Sequence, residues 1–246
     1  MNSQQALMAA ALFFPLACCA QETSIPPLKS EPHHHLVLHN DFVNVYSVEL
    51  QPHDAVQLHR HEADGIGIML SDSQITVHTP GKPDAHQTVT NGQLRLQSAG
   101  YVHSTSVDGD TPYHNVTVEL LAPQRSPQNL CAALIATQPT RCPDSTTKPH
   151  LVGRTEQPQF QTAETEITLI RILPGQSATL DAPALPQLLV ILDAVEGATE
   201  NSSIKPLRAG DFLWRDVDAA AQVLKNASAR EVRVVAFAFK NEKSAK

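Results

Sequence analysis

Apolar and polar residues alternate along most of the chain in short runs, separated by turn formers. Residues 42–50 alternate with period two and stop just short of Pro52. Successive side chains of a strand point to opposite faces, so this pattern predicts a strand. Residues 65–70 carry no polar side chain and predict a buried strand, ended by Ser71, Asp72 and Ser73. Residues 74–78 alternate again before the turn at Pro80, Gly81 and Pro83, and residues 93–97 and 115–121 complete the set. Many short strands with frequent turn signals predict an all-β barrel or sandwich.

Residues 122–160 break this rhythm. They are rich in Pro, Gln and Thr and read as a connection, with a short helix expected over residues 130–136. Beyond them the first pattern repeats. Residues 48–52 answer to 170–174, residues 68–70 to 190–192, and the Asn91-Gly92 turn to Ala209-Gly210. Residues 116–120 answer to 234–238. The second copy is shorter by four residues between its central strand and its glycine turn. A duplicated β-domain accounts for this better than chance likeness between β-rich stretches.

Composition adds context. The chain has 246 residues, 18 of them proline, and a formal net charge of −7 with no Lys/Arg run. That argues against nucleic acid or an anionic membrane as a partner. Residues 6–20 are apolar and uncharged, too short for a membrane span and suited to the core of a secretory signal. Residues 1–20 are therefore expected to be removed on export, to the periplasm or beyond the cell. A lipoprotein signal around Cys18 and Cys19 is the alternative, poorly matched because one Cys directly precedes the other. Cutting after Ala20 leaves Cys131 and Cys142, close together in the connecting segment. In an oxidising compartment they read as a short-loop disulfide; two free thiols are the alternative.

Candidate chemistry lies in the histidines. All 12 fall at or before position 150, so the second repeat has none. His59 and His61 stand at i and i+2, which on a strand turns both imidazoles to one face and Arg60 to the other. His103 follows the strand after Gly92 and can return to the same interior. Neutral imidazole suits iron, manganese, zinc, copper or nickel, which the sequence does not distinguish. His33, His34, His35 and His39 read as an exposed polar arm. His53, His78, His86 and His114 read as surface or rim residues, and Phe212 and Trp214 as packing of the second core.

With these residues in place the chain resembles the cupin superfamily, whose first motif runs G-x5-H-x-H-x3,4-E-x6-G and whose second runs G-x5-P-x-G-x2-H-x3-N. His59, His61 and His103 match the three family histidines, and Gly92 and Gly100 the glycines of the second motif. Ser98 stands where proline is usual, His53 at the first glycine and Val107 at the final asparagine. The family glutamate falls at Gly65 or Ile66, so Glu62 or Asp64 would have to supply any carboxylate. Counting across the repeat puts Asp181, Pro183 and Ala221 opposite the three histidines. The resemblance implies two tandem cupin-type barrels, double-stranded β-helices of jelly-roll form. The N-terminal barrel would span 33–121 and a degenerate C-terminal barrel 161–242, joined by residues 122–160.

It also implies a divalent transition metal on His59, His61 and His103, or three relic histidines in an empty barrel. Cupins include enzymes and binding proteins alike. A binding or scaffold protein for a small molecule is the first expectation, since the carboxylate is missing and the second barrel is degenerate. A metal-dependent enzyme of oxygenase or isomerase type is the alternative, with Tyr101 as a proton donor. A homodimer is in keeping with the family.

Overall fold

The structure is a computed structural model that describes residues 24–143, 152–199 and 205–240. The expected signal at 1–20 lies outside the described residues. Among them every extended element is a β-strand, and one 3-10 turn, Leu28–Ser30, precedes the first. No helix among the described residues is long and apolar enough to cross a membrane.

The all-β expectation holds, as two barrels. In the first, a five-stranded sheet runs in the order His34–His39, Val43–Leu50, Tyr113–Leu120, Asp64–Met69, Leu94–Gln97. A four-stranded sheet faces it, in the order His59–Arg60, Val102–Val107, Ser73–His78, Ala85–Val89. The second barrel repeats this plan. Its larger sheet holds Arg154–Gln161, Thr165–Ile172, Val232–Phe239, Gln187–Ile191 and Phe212–Arg215, with Gln128–Asn129 added at the edge. Its smaller sheet holds Ser177–Leu180, Gln222–Lys225, Val195–Thr199 and Lys205–Leu207. Strand Arg154–Gln161 thus enters the second barrel from within the segment read as a connection.

The barrels stand back to back through their larger sheets. Val43, Val45, Ile66, Ile68, Val116 and Val118 from the first form one buried cluster with Phe160, Ile167, Leu188, Val190, Val235 and Phe237 from the second. Each such side chain taken from water contributes about 1.5–3 kcal/mol, so this seam is a main source of stability. Trp214 and Phe212 belong to this seam, which corrects their assignment to the second core. The Trp214 ring lies 5.5 Å from Phe42 of the first barrel and 5.5 Å from Phe239.

Inside the first barrel, Val48, Leu50, Val56, Met69, Ile75, Val107 and Tyr113 fill one end with apolar bulk. Ile170, Ile172, Leu189, Ile191, Leu224 and Val234 do so in the second.

Strand register corrects two equivalences reached by counting. Met69 pairs with Asn115 and Ile191 pairs with Val234, so Val116 answers to Val235 and not to Val234. A slip of one residue exchanges inner for outer faces. Secondly, His59 lies opposite His103, and the corresponding pair in the second barrel is Leu180 opposite Gln222. The first barrel holds one extra residue between Ala55, bridged to Ser106, and His59. The second runs in straight register from Ser177 opposite Lys225. Leu180, Ala182 and Gln222, rather than Asp181, Pro183 and Ala221, therefore stand for the three histidines. Asp181 is exposed.

Residues 130–136 form no helix. The buried Asn129 side chain takes their backbone groups instead, accepting from the N–H groups of Leu134 and Ile135 and donating to the Ile135 and Gln138 carbonyls. Cys131 and Cys142 form a disulfide across this loop, with Cα atoms 4.2 Å apart.

Candidate metal centre

Strand alternation turns His59 inward and Arg60 to solvent, as the sequence pattern predicts. His59 and His61 are fully buried and His103 nearly so. One nitrogen from each ring lies within 4.8 Å of the others, a grouping able to hold a metal ion. The ring centroids are 4.6–5.2 Å apart.

Hydrogen bonding orients the rings. His59 Nδ1 lies 2.8 Å from the Gln57 carbonyl, which only accepts, so Nδ1 carries the proton and Nε2 presents a lone pair. That Nε2 is buried without a partner, as is His61 Nδ1. His61 Nε2 and His103 Nε2 approach to 3.0 Å. Two lone pairs at that distance repel unless a proton or a cation lies between them. Burial, reinforced by the neighbouring histidines, pushes His61 down to about 3 and His103 down to about 2. Burial lowers His59 as well. All three rings are neutral at neutral pH, the form that binds metals.

An outer layer fixes this set. The buried Glu31 carboxylate accepts from the Gln57 backbone N–H at 3.0 Å, and the Gln57 carbonyl in turn holds His59. Glu31 also lies 2.6 Å from His34 Nδ1 and accepts from the His33 backbone N–H at 2.8 Å. Burial raises the Glu31 carboxyl, but the bonds from His34, Gln57 and His33 outweigh it and hold the group at about 2. His34 is therefore no exposed arm residue. Its ring is nearly buried and lies 4.8 Å from that of His59. His39, by contrast, is exposed, against Asn44.

Neither expected carboxylate joins the histidines. Glu62 is exposed and faces Lys29 at 3.7 Å. Asp64 accepts from the Ala99 N–H at 2.9 Å. Gly65 sits tightly: a Cβ there would come within 3.3 Å of the Val118 carbonyl and 3.7 Å of Gln97 Oε1. Gln97 Oε1 is buried without a partner. A buried carboxylate does stand opposite Gly65, on Glu119, which accepts from Asn44 Nδ2 at 3.0 Å. It lies outside the three-histidine group.

The centre opens on a cavity of about 250 Å³ whose walls include Met69, Ile75, Val77, Arg95, Gln97 and Tyr101. Tyr101 stacks on His103 with centroids 4.6 Å apart. Arg95 forms no ion pair among the described residues. Arg95, Gln97 and Glu31 escaped the sequence reading. The signal for the first two was the alternation Leu94, Arg95, Leu96, Gln97, whose inward face cannot be told from the strand alone. His53, His78 and His86 are exposed surface residues, as expected. His114 is half-buried against the second barrel's Gly210 turn.

No family model and no curated protein matches the chain. Solved structures do. AerE from Microcystis aeruginosa superposes with a TM-score of 0.56 at 14% identity, over 86% of this chain and 99% of that one. A single-residue mutant of salicylate 1,2-dioxygenase from Pseudoaminobacter salicylatoxidans, in complex with gentisate, does so with a TM-score of 0.56 at 13% identity, over 84% and 74%. The chain has the cupin fold. Its histidine cluster fits a cupin metal site, and identities this low speak for the fold alone. Within that fold the three histidines all belong to the N-terminal cupin barrel, while the C-terminal one presents Leu180, Ala182 and Gln222.

Proposed function

We propose that the N-terminal cupin barrel holds a divalent transition metal on His59, His61 and His103 and acts on a small anionic molecule bound beside it. One observation carries this reading: three buried, neutral imidazoles meet with His59 Nε2 left without a partner, and one of them, His103, lines a cavity that also presents Arg95. The 3.0 Å between His61 Nε2 and His103 Nε2 supports it. Two ligands at right angles, each about 2.1 Å from one ion, stand about 3.0 Å apart. Iron, manganese, zinc, copper and nickel all accept such donors. Iron is the first to test, because a structural neighbour is a dioxygenase.

When bound, the ion supplies Lewis-acid or oxygen chemistry. The chain supplies the rest. Arg95 binds and orients a carboxylate or other oxyanion, and the donor geometry of guanidinium suits that task. Met69, Ile75 and Val77 exclude water from the apolar part of the molecule. Gln97 offers an unused amide oxygen, and the Tyr101 hydroxyl holds or delivers a proton at the cavity wall.

A binding or scaffold protein without turnover is the second reading. It is favoured by Gly65, which stands where the family resemblance puts a carboxylate. Export belongs to this proposal too, supported by the Cys131–Cys142 disulfide, a bond of oxidising compartments.

The test is the metal content of the protein from Gln21, beside a His59→Ala/His103→Ala variant. About one equivalent in the parent and little in the variant is expected; equal content in both would overturn the ligand assignment. Oxygen uptake by the iron-loaded protein with gentisate or salicylate then separates the two readings. Uptake favours the enzyme, and tight binding without uptake the binding protein.

A further inference from the structure

The second barrel holds no histidine but has a cavity. Its mouth encloses about 380 Å³, with Ile170, Leu180, Leu189, Ala236 and Ala238 among its apolar walls. By register, Ala236 and Ala238 take the places of Thr117 and Glu119 in the first barrel, and these small residues leave the interior open. Arg215 takes the place of Gln97: Gly65 pairs with Gln97, and Gln187 pairs with Arg215.

Arg215 lines this cavity and is only 5% exposed. Its Nη1 donates to Gln187 Oε1 at 2.8 Å, and its Nη2 to the carbonyls of Leu180 at 3.0 Å and Asp181 at 2.6 Å. Its Nε has no partner. No carboxylate forms an ion pair with it among the described residues. The other charges at the mouth are compensated. Arg154 pairs with Glu156 at 3.0 Å, and Glu166 pairs with Lys240 at 2.8 Å. Asp181 is exposed, where water screens its charge. Asp181 acts on Arg215 only at long range, without an ion pair, and a buried guanidinium lacking a direct partner is costly to hold, since buried charges are ordinarily paired.

We propose that the C-terminal barrel is a binding site for a small carboxylate, with the acid group on Arg215 and an apolar body against Ala236, Ala238 and Leu189. This second site is separate from the metal centre and does not depend on metal. Gln187, held by Arg215, positions the guanidinium and offers its amide N–H to the same oxyanion. This barrel, outside the histidine cluster, then serves to sense or retain a small acid.

The experiment follows the Arg215 Nε–H resonance in the full-length mature protein, assigned by its loss in Arg215→Met. Benzoate and acetate are titrated at constant ionic strength, with benzyl alcohol as the uncharged control. The resonance should move and saturate with a carboxylate and stay still with the alcohol. In an Ala236→Leu/Ala238→Leu variant, which fills the cavity and leaves Arg215 and its bonds in place, benzoate affinity should fall by about tenfold or more. No movement with either carboxylate, equal movement with benzyl alcohol, or undiminished benzoate affinity in the filled variant would each overturn the proposal. The readout is local to the second barrel, so binding of benzoate at Arg95 does not imitate it.

Discussion

Arg233 of the second barrel donates from Nη2 to Asn91 Oδ1 of the first at 2.9 Å, and from Nη1 to the Asn91 carbonyl at 3.1 Å. Asp193 fixes the same guanidinium at 2.8 Å. The contact sits on the glycine turn: a Cβ at Gly92 would come within 2.7 Å of Arg233 Nη1. The opposite turn mirrors it, since a Cβ at Gly210 would lie 3.1 Å from His114 of the first barrel. Both glycines have left-handed backbones, with φ of +88° and +90°. The paired turns lock the two barrels at the edge of their shared seam.

Gly92→Ala is therefore expected to destabilise more than Gly100→Ala. Both pay about 1–2 kcal/mol for a left-handed φ, but nothing lies within 4 Å of a Cβ at Gly100. Displacing Arg233 should add about another 1–2 kcal/mol in Gly92→Ala. Chemical denaturation of the two variants measures the difference, and equal losses would mean that the Arg233 lock is energetically silent.

Glu31 links the N-terminal arm to the metal centre through Gln57. Glu31→Gln keeps the shape but sets an amide N–H against donors, and metal affinity should drop by about 10–100-fold, as for other outer-layer partners. Chelator competition reads this directly. The same change alters acid stability. The folded carboxyl at about 2 lies below its ordinary 4.5, so its contribution is present above pH 4.5 and lost as pH falls towards 2. The metal-free Glu31→Gln variant should show a shallower loss than the parent in that window.

Gln97 Oε1 is a buried acceptor with no donor. An unsatisfied group of this kind costs about 1–3 kcal/mol. Gln97→Met, of similar length, should leave stability unchanged or raise it, and should weaken small-molecule binding in the first barrel. A thermal melt with and without ligand tests both halves. A marked fall in the ligand-free melting temperature would show that Gln97 serves the fold instead.

The Cys131–Cys142 bridge closes a loop with a sequence separation of 11. Its removal by Cys131→Ser/Cys142→Ser should cost about 2–3 kcal/mol and leave metal content untouched, because the loop packs beside the second barrel. Mass analysis without reductant should find no free thiol in the protein from Gln21.

Much of the fold was legible in the chain. Alternation and turn residues predicted the strands, the repeat predicted a duplicated β-domain, the family resemblance implied two barrels, and His59-x-His61 with His103 predicted one shared interior face. Spacing along a strand is local, so it survives into the tertiary structure. What failed was equivalence by counting. One extra residue before His59 moves the partner position from Asp181 to Leu180, and a bulge leaves no mark in the sequence. The short helix over 130–136 failed for another local reason, the capture of its backbone by Asn129.

The sequence by itself determined the strands, the duplication and which barrel holds the histidines, because periodicity and side-chain chemistry are properties of the local chain. Only the tertiary structure decided which face of the larger sheets is inside. Taken alone, strand Leu94–Gln97 would bury its leucines within the barrel and expose Arg95 and Gln97. With a second barrel against its outer face, the leucines turn outward to that apolar seam and the polar residues line the cavity. A sheet buried on both sides can place charge in its interior, and that depends on what packs against it.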